Sequence, residues 1–302
     1  MGKKNRNVTR DRITSHVIAA LLWGVLRIPY RVRVPMMGWL MARVVAPLLK
    51  WDRRIRDNLA HVMPDLPEAE VGRLTRAVPD NWGRTMIEIY SGAEFRRRLA
   101  DTPLSGQGVE PMKQARAEGR PVILVTAHIG NFDALRAALS AQGYTLAGLY
   151  RPMRIEPFNT KYVKTLEENG PVFPADRYGV PRFVRHLANG GMVGILTDIY
   201  SSKGAPVTFF GKPAPTATSV CQWALNHDAL LIPIYGIRRP DGLNFDLITD
   251  APVAHSDPVT MTQELNDLLE RQVRSHMDQW FWIHRRWKPE SQSTRAAATT
   301  GP

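Results

Sequence analysis

RPVILVTAHIGNFDALRAALSAQG, residues 120–143, is the stretch whose reading decides the fold. RPVILVTA is a short apolar run rich in Val and Ile, which predicts a buried strand. NFDALRAALSAQG carries helical periodicity and is closed by Gly143. A strand passed to a helix through a Gly-Asn turn is the repeating unit of a parallel sheet, and in open sheets of that kind ligands gather at the carboxyl ends of the strands. His128 lies just past this strand end, Gly130 permits a tight turn, and Asp133 falls in the first turn of the helix. Folding back, the Asp133 carboxylate would fix the imidazole tautomer and leave the other ring nitrogen to take a proton from a hydroxyl. The plainer readings are a cap-like histidine and a first-turn acid favoured by the helix dipole. Spacing alone does not choose between them.

The same unit recurs outward from this stretch. YTLAGLY, PVFPA, MVGILT, ALLIPIYGI and NFDLIT read as strands; EPFNTKYVKTLEENG, VPRFVRHLANGG and TATSVCQWALNHD read as helices between them. Asp257-Pro258 opens a last amphipathic helix, whose apolar positions run from Leu265 to Met277. The alternation predicts an α/β fold with a largely parallel central sheet covered by helices on both faces, preceded by an N-terminal helical region. Residues 51–95 read as helical, punctuated by Pro64, Pro67 and Pro79. The expected division is a basic, apolar membrane-anchoring region over 1–50, the α/β domain over 51–288 and a flexible tail over 289–302, with residues 1–12 read as disordered or as a juxtamembrane tail.

Charge is unevenly placed. Of the net +12, residues 1–60 supply +10, with thirteen Lys and Arg against three Asp. These cations flank the apolar stretches VIAALLWGVL and VPMMGWLMARVVAPLL, an arrangement suited to an anionic membrane surface, where each Lys or Arg is held by about 1 kcal/mol. The first stretch, Ile13 to Leu26, is interrupted by His16 and falls short of the roughly 20 apolar residues of a spanning helix. No small-x-small cleavage site follows it before the next basic cluster. An uncleaved embedded or interfacial anchor and a pair of amphipathic helices covering a core both fit, and the basic flanks keep the remainder cytoplasmic. The single cysteine, Cys221, excludes an internal disulfide and Cys-x-x-Cys metal sites, and its apolar setting reads as a core thiol.

Six blocks, in order, resemble the family of lipid A biosynthesis acyltransferases, relatives of the glycerolipid and phosphatidylinositol mannoside acyltransferases. They are RRIRDNLAHVMPDL (53–66), AHIGNFD (127–133), LYRPM (149–153), VTFFGKPAPTATS (207–219), LLIPIYGIR (230–238) and DQWFWIHRRWK (278–288). The likeness extends over about residues 20–288. It implies an inner-membrane enzyme, facing the cytoplasm, that moves an acyl chain from an acyl carrier protein thioester to a hydroxyl of a glycolipid, with no cofactor and no metal. By the same resemblance His128 is the base and Asp133 its orienter. Arg151 falls where related enzymes bind acceptor phosphate, with Arg154, Arg177, Gly130 and Asn131 as further substrate contacts. The family's usual Asp-Gln pair reads Asp198-Ile199 here, and Phe132 replaces a usual Trp; Asp198 is expected to hold a sugar hydroxyl or an arginine. The cluster of Trp280, Phe281, Trp282 and Trp287, interleaved with His284, Arg285, Arg286 and Lys288, admits single-stranded nucleic acid as a partner. The apolar context of the charge favours membrane-proximal packing instead, with the basic residues facing lipid phosphate or the acidic carrier protein, and no nucleic-acid partner. The rival readings are an acyltransferase of the same fold acting on another membrane glycolipid or lysophospholipid, and a non-catalytic membrane-associated binding protein.

Overall fold

The computed structural model describes residues 8–153 and 156–287. Helix α1 (Val8–Arg27) begins inside the segment 1–12, so residues 8–12 are helical rather than disordered. Next come α2 (Tyr30–Leu40), a π-helical turn at Met41–Val45, α3 (Ala46–Leu48), α4 (Trp51–Val62), α5 (Glu68–Tyr90) and α6 (Gly92–Leu99). The sheet region follows as β1 (Leu104–Gly106), α7 (Val109–Ala117), β2 (Val122–Thr126), α8 (Phe132–Ala141), β3 (Leu146–Tyr150) and α9 (Glu156–Glu167). It continues through β4 (Val172–Pro174), α10 (Gly179–Ala188), β5 (Met192–Leu196) and a two-stranded hairpin, β6 (Thr208–Phe209) and β7 (Lys212–Pro213). The chain closes with α11 (Ser219–Asn226), β8 (Leu230–Arg238), β9 (Phe245–Thr249) and α12 (Pro258–Ser275).

Seven strands form one sheet in the order β1-β9-β8-β2-β5-β3-β4. Every neighbouring pair is parallel except β8 and β9, which are antiparallel. Both faces are covered, and this is why β2 is apolar throughout instead of alternating. Val122 and Leu124 enter a core shared with α2, α6 and α8, whereas Ile123 and Val125 enter one shared with α10, α11 and α12. Asp257 caps α12 as its sequence predicts, accepting hydrogen bonds from the amides of Val259 and Thr260. Pro79 does not end a helix but lies buried in the middle of α5. A proline lacks the N–H for its own helical hydrogen bond and its ring crowds the carbonyl four residues back, yet α5 continues through it, with Val78, Asn81 and Gly83 buried around it.

The N-terminal helices are part of the packing. Helix α2 crosses α5 so closely that a Cβ on Gly83 would lie 2.4 Å from the Met37 carbonyl oxygen, so only glycine fits there. Tyr30 and Val34 enter the core, and the buried Arg33 is tied to Ser91, Glu94 and the Ile28 carbonyl. The outward side of this region is apolar, with Val17, Leu21, Trp23, Val32, Trp39, Val44, Leu48 and Leu49 all exposed. No single described helix is long and apolar enough to cross a membrane. Tyr30–Leu48 and Trp51–Val62 reach that composition only as a pair bent by 87°.

The deepest polar feature joins α5 to β8. Glu88, fully buried, receives two hydrogen bonds from Arg238 at 2.6 and 2.7 Å, one from Tyr30 at 3.2 Å and one from Asn131 at 2.8 Å. Removing one member of a buried ion pair strands the other charge and costs about 3–5 kcal/mol. Glu88→Ala is therefore expected to destabilise the protein by about that amount in urea titration, and Glu88→Gln by less, because the amide still accepts from Arg238. A loss under about 1 kcal/mol for Glu88→Ala would show that the pair is not structural.

Candidate active site

Strands β2 and β5 are neighbours with Thr126 paired to Leu196. Continuing two residues past each strand end brings His128 and Asp198 side by side. The His128 imidazole meets Asp198 through Nδ1 at 2.9 Å from Oδ1, and the His128 amide donates to Oδ2 at 2.9 Å. Trp280 Nε1 donates to the same Oδ2 at 3.0 Å. Burial alone would raise the Asp198 pKa; the facing His128, through its charge and its hydrogen bonds, overcomes that and holds the carboxyl well below the usual carboxylate range. An ionised Asp198 needs a proton on Nδ1, which leaves Nε2 as the imidazole's acceptor.

Asp133 does not orient the imidazole. It is buried in the first turn of α8, where Arg136 lies at 3.4 Å and Asn169 at 3.3 Å. Burial raises its pKa against the opposing pull of Arg136. The reason is the cap: the Asn131 side chain accepts from the amides of Asp133 and Ala134, starting α8 at Phe132 and directing Asp133 toward α9. Asn131 is itself fully buried, and its amide group donates to Glu88. It is a structural cap, not the substrate contact expected of it. Gly130 is likewise structural. It has φ +56°, and a Cβ there would lie 2.0 Å from the Gly236 carbonyl oxygen.

The loop is clamped from two directions. On the α5 side, Asn81 and Thr85 donate to the Gly130 carbonyl at 2.9 and 3.0 Å. On the other, the C-terminal segment runs antiparallel beside it. Gly130 N donates to the Gln279 carbonyl, Phe281 N donates to the His128 carbonyl, and Ile129 pairs with Trp280. Asn58 of α4 holds that segment through the carbonyls of Trp282 and His284 at 2.6 and 2.8 Å. The aromatic cluster is core: Trp280 and Trp282 are fully buried and pack on Phe209 and Phe210 of the hairpin. Arg286 does not face lipid or a partner, as expected of the basic residues; it is fully buried on Thr216, Asn266 and the Pro215 carbonyl. Lys288 lies outside the described residues.

A narrow cleft over His128 is walled by Trp82, Phe132, Trp280 and Phe281. His284, which no sequence spacing ties to the site, lies edge-on against His128 with ring centroids 4.9 Å apart. Burial, aided by repulsion from His128, lowers its pKa to about 4. Arg151 is exposed at the carboxyl end of β3, two strands from β2. Arg177 is exposed beyond β4, three strands from β2, and its guanidinium engages the Tyr178 hydroxyl at 2.6 Å. Arg154 lies outside the described residues. Cys221 is a buried thiol bonded to Thr262, as its apolar setting predicts. Among the described residues no group of three or more His, Cys, Asp or Glu is arranged to hold a metal ion.

An imidazole held by a buried carboxylate at adjacent strand ends of a parallel α/β sheet is the equipment of general-base chemistry. Sequence comparison supplies the rest: the profile of the bacterial lipid A biosynthesis acyltransferases matches residues 1–289, and the chain belongs to that family. It is an enzyme, an acyltransferase of lipid A and lipopolysaccharide biosynthesis. It is similar to the lipid A biosynthesis lauroyltransferase of Escherichia coli, with 25% identity over 91% of this chain and 92% of that one. The lipid A biosynthesis acyltransferase of Haemophilus influenzae is 24% identical over 85% of this chain and 81% of that one. Among solved structures, the 1-acyl-sn-glycerophosphate acyltransferase PlsC of Thermotoga maritima aligns with 86% of this chain and 100% of that chain, at 15% identity and a TM-score of 0.37.

The depressed pKa of His284 has a consequence in acid. A histidine whose pKa falls on folding binds fewer protons folded than unfolded, so acidification from its ordinary 6.5 toward about 4 favours unfolding. His284→Gln removes that contribution. Its urea midpoint is expected to fall less than that of the wild type between about pH 7 and about pH 4.5. Parallel decreases in the two proteins would place the acid sensitivity elsewhere.

Proposed function

We propose that this enzyme transfers a fatty acyl group from an acyl carrier protein thioester to a hydroxyl of a lipid A precursor, at the cytoplasmic face of the inner membrane. The observation that carries the reaction chemistry is the His128–Asp198 pair. Family membership supports the acceptor class, and the exposed apolar side of α1 to α3 supports an interfacial anchor.

In this reading His128 Nε2 accepts the proton of the acceptor hydroxyl as that oxygen attacks the thioester carbonyl carbon. Asp198 stabilises the imidazolium that results. The tetrahedral intermediate collapses with cleavage of the carbon–sulfur bond, and the departing thiolate takes the proton back from His128. No acyl-enzyme is required. The nearby His284 stays neutral, which avoids a second positive charge beside the imidazolium. Arg151, at the carboxyl end of β3, is retained as an acceptor contact.

The test is incubation of purified enzyme with acyl carrier protein charged with different fatty acyl groups and with a lipid A precursor, read by mass spectrometry. A product heavier by one acyl group supports the reading; transfer only to a lysophospholipid, or none, overturns it. Within the site, His128→Ala is expected to lower kcat by about 10²-fold or more. Asp198→Asn should act in the same direction, because it removes the charge that stabilises the imidazolium. Asp133→Asn should keep kcat within about threefold of wild type, since its carboxyl faces Arg136 instead. The reverse ranking of the two Asn variants would return the orienting role to Asp133.

A further inference from the structure

The cleft over His128 is not the most open concavity beside the catalytic loop. A cavity of about 1140 Å³ lies between the π-helical turn, α5 and the β8–β9 connection. Asn81 and Gln279 line both this cavity and the cleft, so the two share a wall. Its lining is rich in arginine, but most of these charges are already matched. Arg84 pairs with Asp80, Arg239 with Asp246, Arg238 with Glu88, and Arg73 with Glu70 and Asp278. Asp241 is occupied capping its own turn at the amides of Leu243 and Asn244. Two guanidiniums remain. Arg43 from the π-helical turn and Arg76 from α5 are exposed and meet no carboxylate within ion-pair distance among the described residues.

From this we infer that the cavity is a second anion site, in which Arg43 and Arg76 bind a phosphate group on the saccharide headgroup of the glycolipid acceptor. The inference rests on the acceptor class proposed above. Three observations favour a headgroup over the acidic carrier protein. The site is concave and close in size to the roughly 300–1,000 Å³ of small-molecule pockets, whereas a folded carrier would need an open surface. Arg43 shares its segment with the exposed Trp39, Val44, Leu48 and Leu49, which places the cavity beside the apolar side of the molecule, where headgroups would lie. Asn81 and Gln279 line both the cavity and the cleft, so an acceptor whose headgroup sits here lies next to His128. Two guanidiniums also match the charge of a phosphate monoester, with the planar fork that arginine offers its oxygens.

The experiment uses the full-length enzyme and its Arg43→Ala/Arg76→Ala and Arg43→Lys/Arg76→Lys variants. Binding to detergent micelles doped with a lipid A precursor, intact or phosphatase-treated, is measured alongside steady-state kinetics in which acceptor and acyl donor are varied separately. The expected result is tighter binding of intact than of phosphatase-treated lipid by the wild type, lost in the alanine variant. It is accompanied by an acceptor KM raised about tenfold or more, an unchanged donor KM and partial recovery with lysine. Inorganic phosphate at millimolar concentration should compete only weakly, because it lacks the saccharide and the acyl anchors. A raised donor KM with an unchanged acceptor KM would assign the cavity to the carrier protein and overturn the inference, as would unaltered kinetics and binding. Because binding is read without turnover, arginine-dependent lipid binding by a protein that transfers no acyl group would sink the proposed reaction and leave this site standing.

Discussion

The structure depends on one buried ion pair. Glu88 sits in α5 and Arg238 at the end of β8, and their two hydrogen bonds close a gap between a helix of the N-terminal half and the centre of the sheet. A buried pair of this kind is costly to desolvate, and it is tolerated where its remaining valences are filled. Here they are. Arg238 also donates to Asn81, Thr85 and the Gly242 carbonyl, and Glu88 also accepts from Tyr30 and Asn131. Through Asn81, Thr85 and Asn131 the same network reaches the Gly130 carbonyl and the cap of α8. The loop that carries His128 is therefore held by a polar assembly with no direct contact to the imidazole. A fully satisfied network of this kind rigidifies what it touches, and a reacting histidine benefits from that, because its orientation is set before substrate arrives.

Electrostatics around the imidazole follow from burial. Asp198 is withdrawn from water, yet it accepts three hydrogen bonds, two of them from His128. That arrangement stabilises the ionised carboxylate. For His284, against the His128 ring, burial and repulsion from His128 both lower the pKa. His284 is thereby kept neutral beside the His128–Asp198 pair. The backbone amides from His128 to Asn131 are all committed, to Asp198, Ala127, Gln279 and Gly236. Charge developing on a substrate in the cleft must find its donors among side chains.

The α/β alternation was legible because each strand is a short apolar run bounded by glycine or proline and each intervening helix carries its own period. MVGILT and ALLIPIYGI correspond to β5 and β8 within a residue or two. Three-residue β1 and the β6–β7 hairpin were not, since segments so short have no period to read. His128 was located from its place after β2. The partner assigned to it was Asp133, near in sequence, whereas the carboxylate beside it belongs to Asp198, 70 residues away. Local spacing cannot see strand order: the pairing exists because β5 lies next to β2, and the alignment of Thr126 with Leu196 carries both chains forward in step. Once that adjacency is known, Asp198 follows from counting. His284 carried no comparable signal, because its position depends on Asn58 holding the segment from Gln279 to His284 against the loop.

Five of the six sequence blocks, all but LYRPM, acquire a common physical meaning in this arrangement. Asn58 secures the C-terminal segment, Phe209 and Phe210 pack on its tryptophans, and Gly236 and Arg238 receive the loop from behind. They converge on the placement of a single imidazole. The N-terminal helices join the same assembly from the opposite side. Gly83 lets α2 approach α5 within backbone contact, and Tyr30 at the start of α2 donates to Glu88. In the proposed orientation, the region that rests on the bilayer also holds the ion pair behind the catalytic loop. Lipid contact and site geometry then share one helix, α2.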